Sequence, residues 1–221
     1  MKLPQVANNA LTIEQPLDVT VHEGHDAGTA SAIELRRRRH ILRVVATVVA
    51  EEGFTGATMR KIAERAGVST GMLTYYYKNK REILSDMMAD IYARLIASLS
   101  DLLGDDLGPE RIEAAFEFML AGSRTGSFPM SFWLAYFPEA LRDEEMRARA
   151  INGTNDLRRV FKSALQAGIK GGDLRGDLDP EVGADILMCL WQGLRVEVGL
   201  YDVSEERAVR AVRQVLALMA K

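Results

Sequence analysis

Cysteine, histidine and long hydrophobic segments are scarce in this sequence of 221 residues. Its single cysteine, Cys189, excludes an internal disulfide framework and a zinc site made of cysteines. The N-terminal residues lack the apolar stretch of a signal peptide, and the longest apolar run, Val44–Ala50, falls far short of the roughly 20 residues that span a bilayer. These absences predict a cytoplasmic protein with no membrane segment.

Signatures of catalysis are missing as well. The three histidines, His22, His25 and His40, all lie near the N-terminus, and the sequence contains no His-Glu-x-x-His pair, glycine-rich phosphate loop or nucleophile constellation. We therefore expect no enzymatic activity, no metal site and no cofactor. An all-α enzyme, or a small-molecule-binding protein without a sequence-specific DNA role, is the alternative.

An overall excess of positive charge is absent, because 28 basic residues oppose 31 acidic residues and the net charge is −3. The charge is nevertheless unevenly distributed. Residues 31–82 contain eleven basic and five acidic residues, a local charge of +6, so the other 169 residues carry −9. A basic segment attached to an acidic remainder is typical of a DNA-binding module, and the large acidic remainder disfavours a nonspecific architectural DNA binder.

What the sequence does contain is helical periodicity from Ser31 onward, interrupted by turn and capping residues. Ser31 and Glu34 form a capping box that predicts the start of the first helix, and Gly53 predicts its end. Neither a β-hairpin signal nor an internal repeat is present. The sequence therefore predicts an all-α fold.

Three segments are expected along the chain. Residues 1–30 lack a sustained period and are interrupted by proline and glycine, which predicts a flexible N-terminal tail. Residues 31–79 hold the basic helical module, and residues 80–221 form a larger helical domain.

The basic module contains the pattern of a helix-turn-helix. Two short helices, predicted over 58–65 and 70–77, are joined by Ala66-Gly67-Val68-Ser69. Gly67 tolerates the left-handed backbone of a tight turn, and Ser69 can cap the second helix. In such a motif the first helix braces the second, which presents its N-terminal residues to base edges in the major groove.

Basic side chains outside the two short helices are candidates for phosphate contacts. Arg36, Arg39 and Arg43 follow one another at helical spacing and share a face. Lys80 stands at the predicted start of the next long helix, where its ammonium adds to the positive helix N-terminus in holding a phosphate.

Residues 58–84 resemble the signature of the TetR family of bacterial transcriptional regulators. The resemblance extends over nearly thirty positions and is carried by Ile62, Ala63, Gly67, Val68, Ser69, Gly71, Leu73, Lys80 and Leu84. One position departs from it, because many members have tyrosine where this chain has Thr74. We therefore expect Tyr75 or Tyr76 to make the phosphate contact usually assigned to that tyrosine.

The resemblance implies an all-α homodimer of about nine helices per chain, with a helix-turn-helix head over residues 31–79 and a ligand-binding and dimerisation domain over residues 80–221. Together with the arginines, it gives the DNA-binding set Arg36, Arg39, Arg43, Thr58, Ser69, Thr70, Gly71, Met72, Thr74, Tyr75, Tyr76 and Lys80. Three consecutive tyrosines cannot all face the groove, so we expect Tyr77 to pack inward.

Aromatic residues are concentrated in the second domain, where seven of the fifteen lie between Phe116 and Phe137. Two interpretations stay open, namely core packing and the wall of a ligand cavity. Residues 129–137, Pro-Met-Ser-Phe-Trp-Leu-Ala-Tyr-Phe, resemble the choline-sensing branch of the family. That resemblance implies that Trp133 and Tyr136 cage a quaternary ammonium by cation–π contacts, with Trp191 opposite them and Glu117 or Asp156 balancing the charge. The full set of expected ligand-binding residues is Phe116, Met119, Phe132, Trp133, Tyr136, Phe137, Asp156 and Trp191.

The last two predicted helices carry apolar stripes that suit a dimer interface of four helices. The alternative is that each stripe faces the core of its own chain. The expected interface residues are Ile186, Leu190, Leu194, Val212, Val215, Leu216 and Met219. The sequence thus predicts a cytoplasmic, ligand-responsive repressor that binds a palindromic double-stranded DNA operator as a homodimer and is released by a small-molecule effector.

Overall fold

The computed structural model describes residues 27–104, 109–125 and 130–221, and these residues contain nine α-helices. The helices are α1 (Ala27–Gly56), α2 (Met59–Arg65), α3 (Thr70–Tyr76), α4 (Lys80–Leu103), α5 (Pro109–Thr125), α6 (Met130–Ala140), α7 (Glu144–Gly171), α8 (Pro180–Gly199) and α9 (Glu205–Met219). One isolated antiparallel bridge joins Leu174 and Ala220. The predicted all-α fold is confirmed. Within the described ranges, no helix combines the length and the apolar character needed to cross a membrane.

The ends of the helices follow from local capping chemistry. The side chains of Thr58, Ser69, Asp179 and Ser204 each accept hydrogen bonds from backbone N–H groups in the first turn of α2, α3, α8 and α9. Before α4, the Asn79 side chain does the same for the backbone N–H of Glu82, at 2.9 Å. These bonds satisfy N–H groups that have no partner within the helix.

The first helix differs from the prediction at both ends. It begins at Ala27 rather than Ser31, so Ser31 and Glu34 lie inside the helix and not at its start. No helix breaker stands immediately before Ser31, and Ala30 is of the type with the highest helix propensity, so the helix extends past the potential cap. The predicted tail, residues 1–30, therefore overlaps this helix from residue 27, and its first 26 residues lie outside the described part of the chain. At the other end, Gly53 interrupts the helix with φ 70° and ψ 177°, at the position where the sequence predicted its end. Helical structure then resumes as far as Gly56.

The chain forms two compact units that do not follow the predicted boundary between residues 79 and 80. The head unit consists of residues 27–94 together with Ser131–Thr154, and the body unit consists of the described parts of residues 95–130 together with Asn155–Lys221. The long helices α4 and α7 each contribute to both units. As a result, the first half of α4, most of α6 and the start of α7 belong with the helix-turn-helix.

Each unit has its own apolar core. In the head unit, Ile41, Val45, Ile62 and Leu73 are fully buried and join α1 to the two short helices. In the body unit, α5 packs against α8 and α9. There Phe116 contacts Phe161, with ring centroids 5.7 Å apart.

Candidate nucleic-acid interface and ligand-binding regions

The turn between α2 and α3 has the geometry of a helix-turn-helix. Gly67 adopts φ 65°, in the left-handed region, and the backbone N–H of Val68 donates to the carbonyl of Ala63 at 3.0 Å. Ser69 then caps α3 by accepting from the N–H of Met72 at 3.0 Å. The short helix α3 is thereby held on α2 with its first turn towards solvent.

The predicted DNA-facing residues of α3 lie at the surface of the head unit. Thr70, Gly71 and Thr74 are exposed, and Tyr75 is 78% exposed. Met72 and Tyr76 are half-buried. By contrast, only 1% of Tyr77 is exposed, which confirms that the third tyrosine packs inward.

The hydroxyl groups near the motif differ in their availability. Thr74 Oγ1 is 3.1 Å from the carbonyl oxygen of Thr70 and 3.0 Å from that of Gly71, so its single proton is used within the helix. Thr58 Oγ1 accepts from the N–H of Lys61 at 3.3 Å. Among the two candidates for the tyrosine contact, Tyr75 is the more exposed, and its ring meets that of Tyr76 edge to face at 5.3 Å.

The arginines of α1 have different environments. Arg36 and Arg39 are exposed, and Arg43 is half-buried. Sequence reasoning missed the role of Arg38, whose Nε donates to the hydroxyl of Tyr77 at 3.2 Å and whose Nη2 contacts a carboxylate oxygen of Asp86. These two hydrogen bonds raise the pKa of the Arg38 guanidinium, while burial raises the pKa of Tyr77 to about 12 against the opposing effect of Arg38.

Lys80 is placed at the start of α4 as predicted, but its ammonium already has an acceptor. Its Nζ donates to the backbone carbonyl of Phe54 in the last turn of α1. An ammonium has three N–H donors, so two of them are left for another acceptor such as a phosphate.

A network of polar side chains connects α4 to the N-terminal part of α7 within the head unit. Ser85 Oγ, which is buried, donates to Glu145 Oε1 at 3.3 Å and accepts from Arg149 Nε at 3.2 Å. Arg149 also approaches Asp86 at 4.0 Å, so the Asp86 carboxylate lies between arginines from α1 and α7. No local pattern predicts this network, because its members lie about 50 to 60 residues apart.

The aromatic residues of α6 form a packed cluster in the head unit, which consists of Phe132, Trp133 and Tyr136. The Phe132 and Tyr136 rings are stacked at 6.0 Å, and Trp133 meets Tyr92 of α4 edge to face at 5.7 Å. The Tyr136 hydroxyl donates to the carbonyl of Met146 at 2.6 Å, and burial raises its pKa. Phe137, the fourth predicted ligand residue of α6, is 37% exposed.

The other predicted ligand residues, Phe116, Met119, Asp156 and Trp191, belong to the body unit. Phe116 and Met119 are fully buried in α5, and Trp191 lies under the guanidinium of Arg195 at 5.4 Å. Asp156 lines an open groove of about 600 Å³ formed by Ile96, Ser100, Leu103, Gly104, Asp156, Arg159, Val160, Ser163, Ala164 and Ala167. The groove has no aromatic wall, so it does not provide a cation–π cage.

The seven predicted dimer-interface residues fall into a buried group and an accessible group. Val212, Leu216 and Met219 are buried in the single chain, so the interface prediction is wrong for these three, whose stripe faces the chain's own core. The physical reason is that α9 packs on α5 and α8 with its apolar side. The other four residues remain accessible, with Ile186 exposed and Leu190, Leu194 and Val215 half-buried.

Comparisons with known proteins match both parts of the chain. Residues 108–221 match the family model described as BetI-type transcriptional repressor, C-terminal, and residues 41–87 match that of bacterial regulatory proteins, tetR family. The transcriptional regulator BetI of Vibrio vulnificus is 27% identical to this chain over 164 residues, which cover 66% of this chain and 83% of that protein.

Solved structures share the fold. A TetR transcription regulator from Haloarcula marismortui has a TM-score of 0.74 at 21% identity, covering 85% of this chain and 100% of its own. A protein from Saccharomonospora viridis, crystallised in complex with choline, has a TM-score of 0.73 at 19% identity, covering 85% of this chain and 99% of its own. The chain therefore belongs to the TetR family of bacterial regulatory proteins, with a BetI-type C-terminal domain, and is a DNA-binding transcriptional regulator rather than an enzyme.

Proposed function

We propose that this regulator is a repressor that binds a palindromic operator as a homodimer and is released by a small-molecule effector. The observation that carries the proposal is the exposed surface of α3, where Thr70, Gly71 and Tyr75 are presented on a helix capped by Ser69. A recognition helix of this kind contacts one half-site, so a palindrome requires two copies related by a two-fold axis.

The basic residues of the head unit support the DNA-binding role. Arg36 and Arg39 are exposed on α1, and Lys80 lies at the N-terminus of α4. Such residues contribute affinity that depends on salt and not on base sequence, whereas the residues of α3 contribute the sequence preference.

Titration of fluorescent DNA duplexes tests this proposal. We expect a palindrome from the region upstream of the gene to bind more tightly than its single half-site or a scrambled duplex, with affinity falling as salt rises. A protein that does not distinguish the palindrome from the scrambled duplex would contradict the repressor function.

Substitution of Lys80 separates affinity from specificity. We expect Lys80→Ala to weaken binding to every duplex by a similar factor and to reduce the slope of log affinity against log salt by about one. If the variant lost base preference while keeping its affinity, Lys80 would be a base contact and the phosphate assignment would be wrong.

For the effector, we propose a quaternary ammonium compound of the choline class. Support comes from the BetI-type C-terminal domain, from the choline complex of the structural relative, and from the cluster of Phe132, Trp133 and Tyr136. Because these rings already pack against one another, binding requires the cluster to open around the cation.

Calorimetric titration with choline and glycine betaine tests the effector class. We expect saturable binding that Trp133→Leu removes, whereas Phe161→Leu, which removes a buried ring of the body unit, leaves it in place. Circular dichroism verifies that both variants are folded. An absence of heat from a protein preparation that still binds operator would exclude these two cations.

A further inference from the structure

Lys80 lies where the end of α1 meets the start of α4. The backbone carbonyl that accepts from its Nζ belongs to Phe54. In a continuous helix that carbonyl would accept from the N–H of Thr58, but this N–H donates to the carbonyl of Gly56 at 2.9 Å. The Phe54 carbonyl is therefore one of the terminal helix carbonyls that seek a partner outside the helix, and a lysine ammonium is well suited to it.

The side chain of Phe54 is fixed by the aromatic cluster of α6. The break at Gly53, with φ 70°, redirects the chain, and Phe54 is buried. Its ring lies 6.0 Å from the ring of Tyr136 at an angle of 58°. Tyr136 is itself held at its other end, because its hydroxyl donates to the carbonyl of Met146.

We propose that Phe54 and Tyr136 are positioning residues for the DNA contact of Lys80. Tyr136 packs against Phe54, the carbonyl of Phe54 holds the ammonium at the N-terminus of α4, and two N–H donors of that ammonium meet a DNA phosphate. Holding the lysine in place reduces the conformational entropy lost when DNA binds. The inference rests on the proposed operator binding. It also links the ligand to DNA affinity, because a ligand that opens the cluster of Phe132, Trp133 and Tyr136 moves Phe54 and thereby removes the phosphate contact of Lys80.

A double-mutant cycle tests the coupling between Tyr136 and Lys80. Affinity for the operator palindrome and for a random duplex is measured over a range of salt for the wild type, Tyr136→Leu, Lys80→Ala and the double variant. We expect each single substitution to weaken binding to both duplexes by about tenfold, the usual worth of one hydrogen bond to a charged group, and to lower the salt slope. In the Lys80→Ala background, Tyr136→Leu should cause no further loss.

Two further variants separate positioning from a general loss of stability. Phe54→Leu keeps the carbonyl but removes the ring contact, so it should weaken DNA binding as Tyr136→Leu does. It replaces Tyr136→Leu in the experiment if that variant does not fold. Phe161→Leu removes a buried ring from the body unit, and any effect that it has should be additive with that of Lys80→Ala.

The outcomes distinguish this inference from the proposed function. Equal losses from Tyr136→Leu with and without Lys80, or wild-type affinity in both Tyr136→Leu and Phe54→Leu, would overturn the positioning role. A wild type that binds the palindrome no better than the random duplex would defeat the repressor proposal instead. The cycle on the random duplex still decides the inference in that case, because a phosphate contact does not depend on base sequence.

Discussion

Neighbouring arginines of α1 have different surroundings because successive residues of a helix point in different directions. Arg36 and Arg39 extend into solvent, whereas Arg38 binds Asp86 and Tyr77. Helical spacing alone predicted that Arg36 and Arg39 share a face. It could not predict the partners of Arg38, which lie 39 and 48 residues further along the chain.

Asp143 connects the start of α7 to α4 and should contribute stability that depends on pH. Burial raises its pKa, but the hydrogen bond from the N–H of Met146 and the ion pair with Arg81 outweigh burial and lower the pKa below 3.8. A carboxyl with a lowered pKa stabilises the folded state above its unfolded pKa and loses this contribution as the pH falls through the folded value. We expect Asp143→Asn to reduce the free energy of unfolding by about 1 kcal/mol at pH 7, with the difference from wild type shrinking below pH of about 4.

Urea unfolding at several pH values measures this difference. Asp177→Asn is the control, because Asp177 is exposed and pairs with the exposed Arg175 in a loop. Exposed pairs of this kind contribute little. A difference for Asp143→Asn that stays constant from pH 7 to pH 3 would show that the carboxylate charge is unimportant there.

Gly153 allows α7 to approach Tyr92 closely. A Cβ atom at this position would overlap the Tyr92 ring, whose hydroxyl is 3.0 Å from Thr154 Oγ1 and which also contacts Trp133. We expect Gly153→Ala to lower the free energy of unfolding by about 1–3 kcal/mol, the usual cost of overpacking a core. Asn152→Ala, at the exposed neighbouring position, should leave stability unchanged or slightly raised. Thermal unfolding measures the difference in stability between the two variants. Equal melting temperatures for Gly153→Ala and Asn152→Ala would contradict the close contact between α7 and Tyr92.

At the scale of whole helices, capping residues were the most predictable feature. The sequence predicted the cap at Ser69, and the structure confirms it because a cap depends on residues only two or three positions away. The prediction for the N-terminus of α1 was wrong, because it depended on the residues outside the capping pattern. A capping box at Ser31 starts a helix only if the preceding residues are not helical, and here they are helical from Ala27.

The cap of α3 should influence DNA binding as well as stability. Replacing Ser69 by alanine removes the acceptor of the Met72 N–H and should cost about 1 kcal/mol of stability, with weaker operator binding because the first turn of α3 frays. Ser204→Ala removes the equivalent cap of α9, where the acceptor of the Arg207 N–H is lost. We expect a similar loss of stability from Ser204→Ala but unchanged operator affinity, measured by urea unfolding and DNA titration. Equal losses of DNA affinity in both variants would show that the cap of α3 has no specific role.

At the scale of the whole molecule, the division of the chain was less predictable than its helices. Sequence reasoning placed a boundary at residue 79, whereas the head unit also contains residues 80–94 and Ser131–Thr154. The difference arises because contacts such as that between Phe54 and Tyr136 join residues far apart in the sequence, which periodicity does not reveal. For the same reason the predicted ligand-binding residues fall into two units.

An accessible apolar stripe on α8 gives a test of dimerisation. Ile186 is 43% exposed, and a homodimer built on this face would bury it. We expect Ile186→Glu to give a monomer in sedimentation experiments and to weaken operator binding, because a buried unpaired carboxylate is costly. Ile151→Glu is the matched control, since Ile151 is 48% exposed on α7 in the head unit. A dimer that persists in Ile186→Glu would place the interface elsewhere.

The shared carboxylate of Asp86 bears on the engineering of regulators with new inputs. Asp86 contacts Arg38 of α1 and Arg149 of α7, and Arg149 binds the neighbouring Ser85. A chimaera that joins residues up to 79 to a foreign sensor would leave Arg38 and the Phe54 carbonyl facing residues that did not evolve with them. A graft that transfers residues 27–94 together with 131–154 would carry these contacts intact, so the transplantable part of this protein is discontinuous in sequence.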